Sequence, residues 1–221
     1  MKVDAASGRV LREQKRRDAA STSLFNAFDP SEPIGNLSGN LPHWRQDGAT
    51  YFVTFRTADS LPQDKLRQWL REREEWRLKN PEPHSQDQRR EYWQRFPARF
   101  QYWLDQGHGA CVLGNADLQD IVESALRYFD HDHYELRDQV VMPNHVHVIV
   151  TPWGEHSLSS VMQSWKSFTA HKINDMLRRQ GPFWQKESFD HIVRSTESLR
   201  KFREYIESNR KCRREFLSRI S

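Results

Sequence analysis

The chain has 221 residues, 36% of them hydrophobic and 29% charged, with 34 Lys and Arg against 30 Asp and Glu and a formal net charge of +4. That length suits one domain with extensions and can bury a real core, while so small and mixed a basic excess favours a polyanionic partner only weakly. Cys111 and Cys212 form no CxxC pair, which argues against a disulfide framework or a thiolate zinc knuckle, and no apolar run is long enough to span a bilayer, so a soluble protein of a reducing compartment is expected, with no membrane partner.

Residues 1–40 read as a basic, flexible N-terminal extension, with Arg9, Arg12, Lys15, Arg16 and Arg17 clustered in a stretch poor in consecutive apolar positions. A single domain is expected over 41–216, followed by a tail at 217–221. Its first strand is Ala49 to Arg56, β-branched and aromatic, announced by the turn pair Asp47-Gly48. Ser60-Leu61-Pro62 opens a helix to about Leu78, with Pro62 at the first helical position.

Residues around 80–109 read as a helical insertion, broken by Pro81, Pro83 and Pro97 and rich in Trp and Tyr. A helix follows from Ala116 to Phe129, with Leu118, Ile121, Val122, Ala125 and Leu126 on one side. His131 and His133 sit between Asp130 and Asp132 and read as a polar turn. Tyr134 to Met142 is a strand, Pro143-Asn144 punctuates it, and a second strand begins at His145.

Beyond it, Ser157 starts a helix whose buried side is Val161, Met162, Trp165, Phe168 and Ile173. Gly181-Pro182 stops it, Ile192-Val193 is a short strand, and Ser195 caps a last helix to about Phe216 with Glu197 in its first turn. The whole reads as an α+β fold, helices packed on one face of an antiparallel sheet and the other face free.

That free face matters because of His145-Val146-His147. Strand side chains alternate, so both imidazoles point to one face, and Val146, Val148 and Val150 point to the other. Two adjacent imidazoles make poor core and good metal ligands, although solvated surface histidines account equally well for the pair. Further ligands would be oxygen or nitrogen donors. On the last helix Tyr205 and Asn209 are four residues apart, hence on one side, flanking the stripe Leu199, Phe202 and Ile206. An Asn carbonyl would complete a site for Mg²⁺ or Mn²⁺, and a phenol beside the ion can attack phosphorus. Taken alone, the plainer reading of a half-buried tyrosine and a helix-end amide is the better supported.

The run Val140-Val141-Met142-Pro143-Asn144-His145-Val146-His147 resembles the HUH single-tyrosine transposases, and in particular the REP-associated tyrosine transposases. Leu41-Pro42-His43-Trp44, Tyr51 to Arg56, Ser164 to Thr169, Gly181 to Gln185 and Tyr205-Ile206-Glu207-Ser208-Asn209 fall in the family's order. The resemblance implies a ferredoxin-like, RRM-like sheet of the HUH endonuclease type. It implies His145, His147 and Asn209 as ligands of Mg²⁺ or Mn²⁺ and Tyr205 as nucleophile. The implied reaction cleaves single-stranded DNA bearing REP-like hairpins through a 5′-phosphotyrosine link, then rejoins strands, in a bacterial cytoplasm and as monomer or homodimer. Two departures stand out: Asn209-Arg210 where relatives have Asn-Pro, which lets the last helix continue, and Ser188 where relatives often carry an aromatic ring.

Lys166, His171, Lys172, Trp184 and Arg210 are the candidate DNA contacts, the cations toward phosphates and the indole toward a base, each weighed against solvated surface or loop anchoring. The alternatives are a hairpin-binding protein of the same fold with weak catalysis, and a metal hydrolase that merely shares the two histidines. The hydrolase is disfavoured because no carboxylate base lies in the histidine strand.

Overall fold

The structure is a computed structural model and describes residues 25, 27, 35–37 and 43–220. The expected 1–40 extension lies outside these apart from 25, 27 and 35–37. Two short strands, β1 (Gly35–Leu37) and β2 (His43–Arg45), pair antiparallel as a separate ribbon. The main sheet is built from β3 (Tyr51–Arg56), β4 (Tyr134–Val141), β5 (His145–Pro152) and β6 (Phe189–Ile192), in the order β4-β5-β3-β6 with every neighbour antiparallel.

Two helices between its strands pack on it: α4 (Ala116–Tyr128), which precedes β4, and α5 (Leu158–Met176), which follows β5. This β-α-β-β-α-β order, with the first and third of the four strands in the middle, is the ferredoxin-like arrangement. Both helices face the side of the sheet carrying Tyr51, Val53, Phe55, Val146, Val148 and Val150, and Leu118, Val122, Leu126, Val161, Trp165 and Ile173 complete that core. Local signals agree with it. Asn115 Oδ1 accepts from the amides of Asp117 and Leu118, and Ser157 Oγ from that of Ser160, so both helices start on a side-chain cap.

The layering differs from expectation in one respect. The opposite face is covered, not free: α6 (Thr196–Ile220) packs Leu199, Phe202 and Ile206 on Phe52, Val140, Met142 and Ile149. Those four residues are apolar and point the same way as the histidines, so leaving them in water would forfeit their burial. The helix continues past Arg210, as the missing proline allows. Phe168, expected inside, is 51% exposed, because the buried stripe of α5 passes through Trp165, Thr169 and Ile173 instead. Pro62 is the N-cap of its helix rather than the first helical residue.

The insertion is longer than expected and begins at that helix. It consists of α1 (Gln63–Lys79), α2 (Gln86–Trp93), a π-turn over Gln94–Ala98 that absorbs Pro97, and α3 (Arg99–Asp105). It carries its own small aromatic core of Trp69, Trp76 and Phe96. Its last helix ends over the histidine face of the sheet.

Ile206 is fully buried between α6 and the sheet, so Ile206→Ala should cost about 2–5 kcal/mol. Phe168→Ala, on an exposed site, should stay within about 0.5 kcal/mol. Urea denaturation measures both, and equal losses would mean that α6 does not pack as described.

Candidate active site

Strand β5 is buried on both faces, and His145 and His147 are 1% and 0% exposed. Their cross-strand neighbours on β3 are Arg56 and Thr54. A buried imidazole needs partners for its nitrogens. Asn144 Oδ1 lies 2.7 Å from His145 Nδ1, and the Asn144 amide nitrogen donates to the carbonyls of Leu104 and His108. With Asn144 so oriented, its Oδ1 accepts, His145 Nδ1 holds the proton, and Nε2 carries the lone pair. Thr54 Oγ1 is 2.8 Å from His147 Nδ1 and also accepts from Gln101 Nε2. The Thr54 hydroxyl can accept from His147 or donate to it, so His147 can present either a proton or a lone pair at Nε2.

The two Nε2 atoms face each other at 2.9 Å. Asp105, at the end of α3, brings Oδ1 to 3.6 Å from His145 Nε2, and the three side chains offer ligand atoms within 4.8 Å of one another. Two cis ligands of an octahedral ion, each about 2.1 Å from it, stand about 3.0 Å apart, so the histidine pair fits a hard divalent cation. One carboxylate and two imidazoles with open positions suit Mg²⁺ or Mn²⁺. Burial pushes the pKa of His145 down to about 3 and that of His147 in the same direction, so both rings are uncharged at neutral pH. Asp105 is 36% exposed, yet burial of its surroundings pushes it up to about 6.

Tyr205 completes the cluster from α6. Its ring stands edge-on to that of His147 with centroids 5.0 Å apart, and Phe52 lies against both. Its hydroxyl points to Asp105 Oδ2 and Gln101 Oε1, each at the outer hydrogen-bond limit of 3.5 Å. Burial and the Asp105 carboxylate hold the phenol above its ordinary pKa. Asn209, one turn on, is 5% exposed, and its amide nitrogen donates to the Tyr205 carbonyl.

Residues 110–209 match the model of a family described as "Transposase IS200 like". That stretch is similar to the IS200-like transposases over 100 of the 221 residues. Within the matched stretch lie His145, His147, Tyr205 and Asn209, whereas Gln101 and Asp105 precede it. Among solved structures, one described as a REP-associated tyrosine transposase bound to a REP hairpin is 19% identical, with a TM-score of 0.43 over 77% of this chain and 70% of that one. Another, a putative transposase from Deinococcus radiodurans R1, is 14% identical, with a TM-score of 0.38 over 78% and 97%. No curated protein matches the chain.

The structure therefore brings His145, His147 and Tyr205 together, with Asn209 behind the tyrosine. It treats the candidate DNA contacts differently. Trp184 is 6% exposed, its indole N–H donates to Thr169 Oγ1, and its ring meets Phe55 edge-on, which fits the loop-anchoring alternative. Lys166 donates to the carbonyls of Gln185 and Lys186, and Arg210 to that of Gln139, so both cations fasten backbone. His171 and Lys172 are exposed on α5. No helix among the described residues is long and apolar enough to cross a membrane.

Asp105 and Gln101 were not legible as site residues. Their i,i+4 spacing among the aromatics of the insertion was the available signal, since it puts two polar side chains on one side of a short helix.

A divalent ion held by this cluster would need the Asp105 carboxylate and two free imidazole lone pairs. Mn²⁺ affinity should therefore rise as pH climbs through about 6, the value to which Asp105 is raised, and level off above it. Asp105→Asn should remove that step and weaken binding at least about tenfold. Titration calorimetry from about pH 5 to about pH 8 reads both, and a flat profile would count against Asp105 as a ligand. The sign for stability is opposite. A carboxyl whose folded pKa is raised stabilises the metal-free fold below its ordinary value, about 4, and loses that contribution as pH rises through about 6.

Proposed function

We propose that this protein is a metal-dependent endonuclease and strand transferase for single-stranded DNA, with Tyr205 as its nucleophile. The observation that carries the reading is that one carboxylate, Asp105, lies between the tyrosine hydroxyl and the histidine pair, at 3.5 Å from one and 3.6 Å from the other. A phosphate held at the histidines would stand beside the phenol. The hairpin-bearing substrate, of the REP-like palindrome type, rests on the sequence resemblance to the REP-associated tyrosine transposases.

His145, His147 and Asp105 would hold the divalent ion, Mg²⁺ or Mn²⁺, with the Asn209 amide the further candidate ligand. Bound there, the ion supplies Lewis-acid charge to a phosphate oxygen. The chain's own groups do the rest. Asn144 and Thr54 fix the two imidazoles through their Nδ1 atoms, so that Nε2 of each faces the site. The Tyr205 hydroxyl gives its proton to Asp105 and its oxygen forms the bond to phosphorus. The bond from phosphorus to the 3′-oxygen breaks, and that oxygen leaves with a proton as a 3′-hydroxyl. The resulting 5′-phosphotyrosine keeps the phosphodiester's energy, so another 3′-hydroxyl can attack it and release Tyr205 without a high-energy cofactor. The place of action is the bacterial cytoplasm, as monomer or homodimer.

A second reading is a hairpin-binding protein with weak cleavage. It is favoured by the raised pKa of Tyr205, which makes the phenol a reluctant nucleophile until its proton has a taker. Both readings are separated by incubating the protein with Mg²⁺ or Mn²⁺ and labelled hairpin DNA in single-stranded form. An SDS-resistant adduct is expected, abolished in Tyr205→Phe and reduced at least about a hundredfold in Asp105→Asn. Binding with no adduct in either metal selects the second reading. Cleavage of double-stranded DNA with no covalent species would overturn both and restore a hydrolase, for which Asp105 would be the base.

A further inference from the structure

A cavity of about 240 Å³ opens between the insertion and the β3–β6 edge of the sheet. That is far more than the roughly 10–15 Å³ a water requires. Trp69, Leu70, Pro97, Phe100 and Phe189 give it apolar and aromatic walls, Thr54 and Arg56 line it from β3, and Gln185, Lys186, Glu187 and Ser188 close its polar side. The β3 residues join it to the metal centre directly. Thr54, which lines the cavity, bonds His147 Nδ1 through its Oγ1, and Arg56 is the cross-strand neighbour of His145.

Arg56 is the telling residue. It is 8% exposed, Nη1 donates to Ser60 Oγ, and its guanidinium stands 5.2 Å from the centroid of Phe100. Among the described residues no carboxylate pairs with it, and Glu187 attracts it only at longer range. A guanidinium carries five N–H donors. Burial shows in its pKa, which falls to about 10. An apolar occupant would bring no acceptor to the guanidinium. A bare anion would meet Arg56 and Lys186, but it would stand near Glu187 and leave the aromatic walls unused. A nucleobase answers both surfaces: its π-face stacks on Trp69 or Phe100, and the acceptors on its edge receive the guanidinium N–H groups.

We infer that this cavity takes one unstacked base of the DNA strand, next to the phosphate held at the histidines, with Trp69 and Phe100 as stacking surfaces and Arg56 reading its acceptor edge. The inference rests on the single-strand DNA reading above and names the nucleotide subsite of that same site. Every side chain that forms the aromatic wall except Phe189 comes from the insertion, and all of them lie outside the matched stretch apart from Phe189 itself. The insertion thus contributes base contacts as well as Asp105.

The test uses metal-free full-length protein and single-stranded decamers of thymidine, adenosine or cytidine carrying one 2-aminopurine, with an abasic replacement as control. Wild type should quench 2-aminopurine emission severalfold and bind the abasic decamer about tenfold more weakly, as loss of one stacked base implies. Tyr205→Phe should keep the quenching. Leu70→Trp, which fills the cavity from a partly exposed helix position, should abolish it while circular dichroism stays unchanged; Leu66→Trp replaces it if that variant fails to fold. Arg56→Gln should lose about tenfold in affinity. Absence of quenching in wild type, or quenching that survives both cavity-filling variants, overturns the base pocket. Quenching lost on filling, in a protein that forms no adduct with any hairpin, leaves the pocket standing and overturns the nuclease reading instead.

Discussion

Strand β5 is buried on both sides, and the rest of the molecule follows from that constraint. Val146, Val148 and Val150 enter one core between α4 and α5, and the alternation of the strand then forces His145 and His147 into the opposite layer. Two imidazoles cannot sit there as unsatisfied polar groups, because each unpaired nitrogen would carry its full desolvation cost. Thr54 across the sheet and Asn144 at the hairpin turn take the Nδ1 atoms. What remains is a pair of Nε2 atoms aimed at one another, an arrangement that a cation between them would relieve.

The turn before β5 serves this arrangement as much as the strand does. The Asn144 carbonyl accepts from the Thr57 amide, the Pro143 carbonyl from that of Leu113, and the Asn144 side chain reaches the end of α3. One residue thereby orients His145 and ties the sheet to the insertion. Through that tie Asp105 is held over the histidines, while α6 brings Tyr205 from the other direction on the apolar footing of Leu199, Phe202 and Ile206. Tyr205, the Asp105 carboxylate and the imidazoles come from three separate elements, and each is placed by packing that has nothing to do with chemistry.

The cavity beside them has the same origin. The insertion buries Trp69, Trp76 and Phe96 among themselves, and its outer aromatics reach the sheet edge without closing on it. The small Ser188 side chain on the rim leaves the space open. Arg56 lies beside it, held by Ser60 and Phe100.

How much of this was legible in the chain differs by element. Periodicity of two and of about 3.6 located β3, β4, β5, α4 and α5, because each has one apolar face that water rejects. The His-Val-His alternation and the four-residue spacing of Tyr205 and Asn209 were equally local, so the sequence by itself determined which side chains share a face. The tertiary structure alone decided what those faces meet. Nothing local says that α6 would cover the histidine face, that Phe168 would remain in solvent, or that Trp184 would be core. Nor could periodicity bring Asp105 across forty residues of chain to His145, since contacts between elements depend on the complementarity of surfaces formed only after folding.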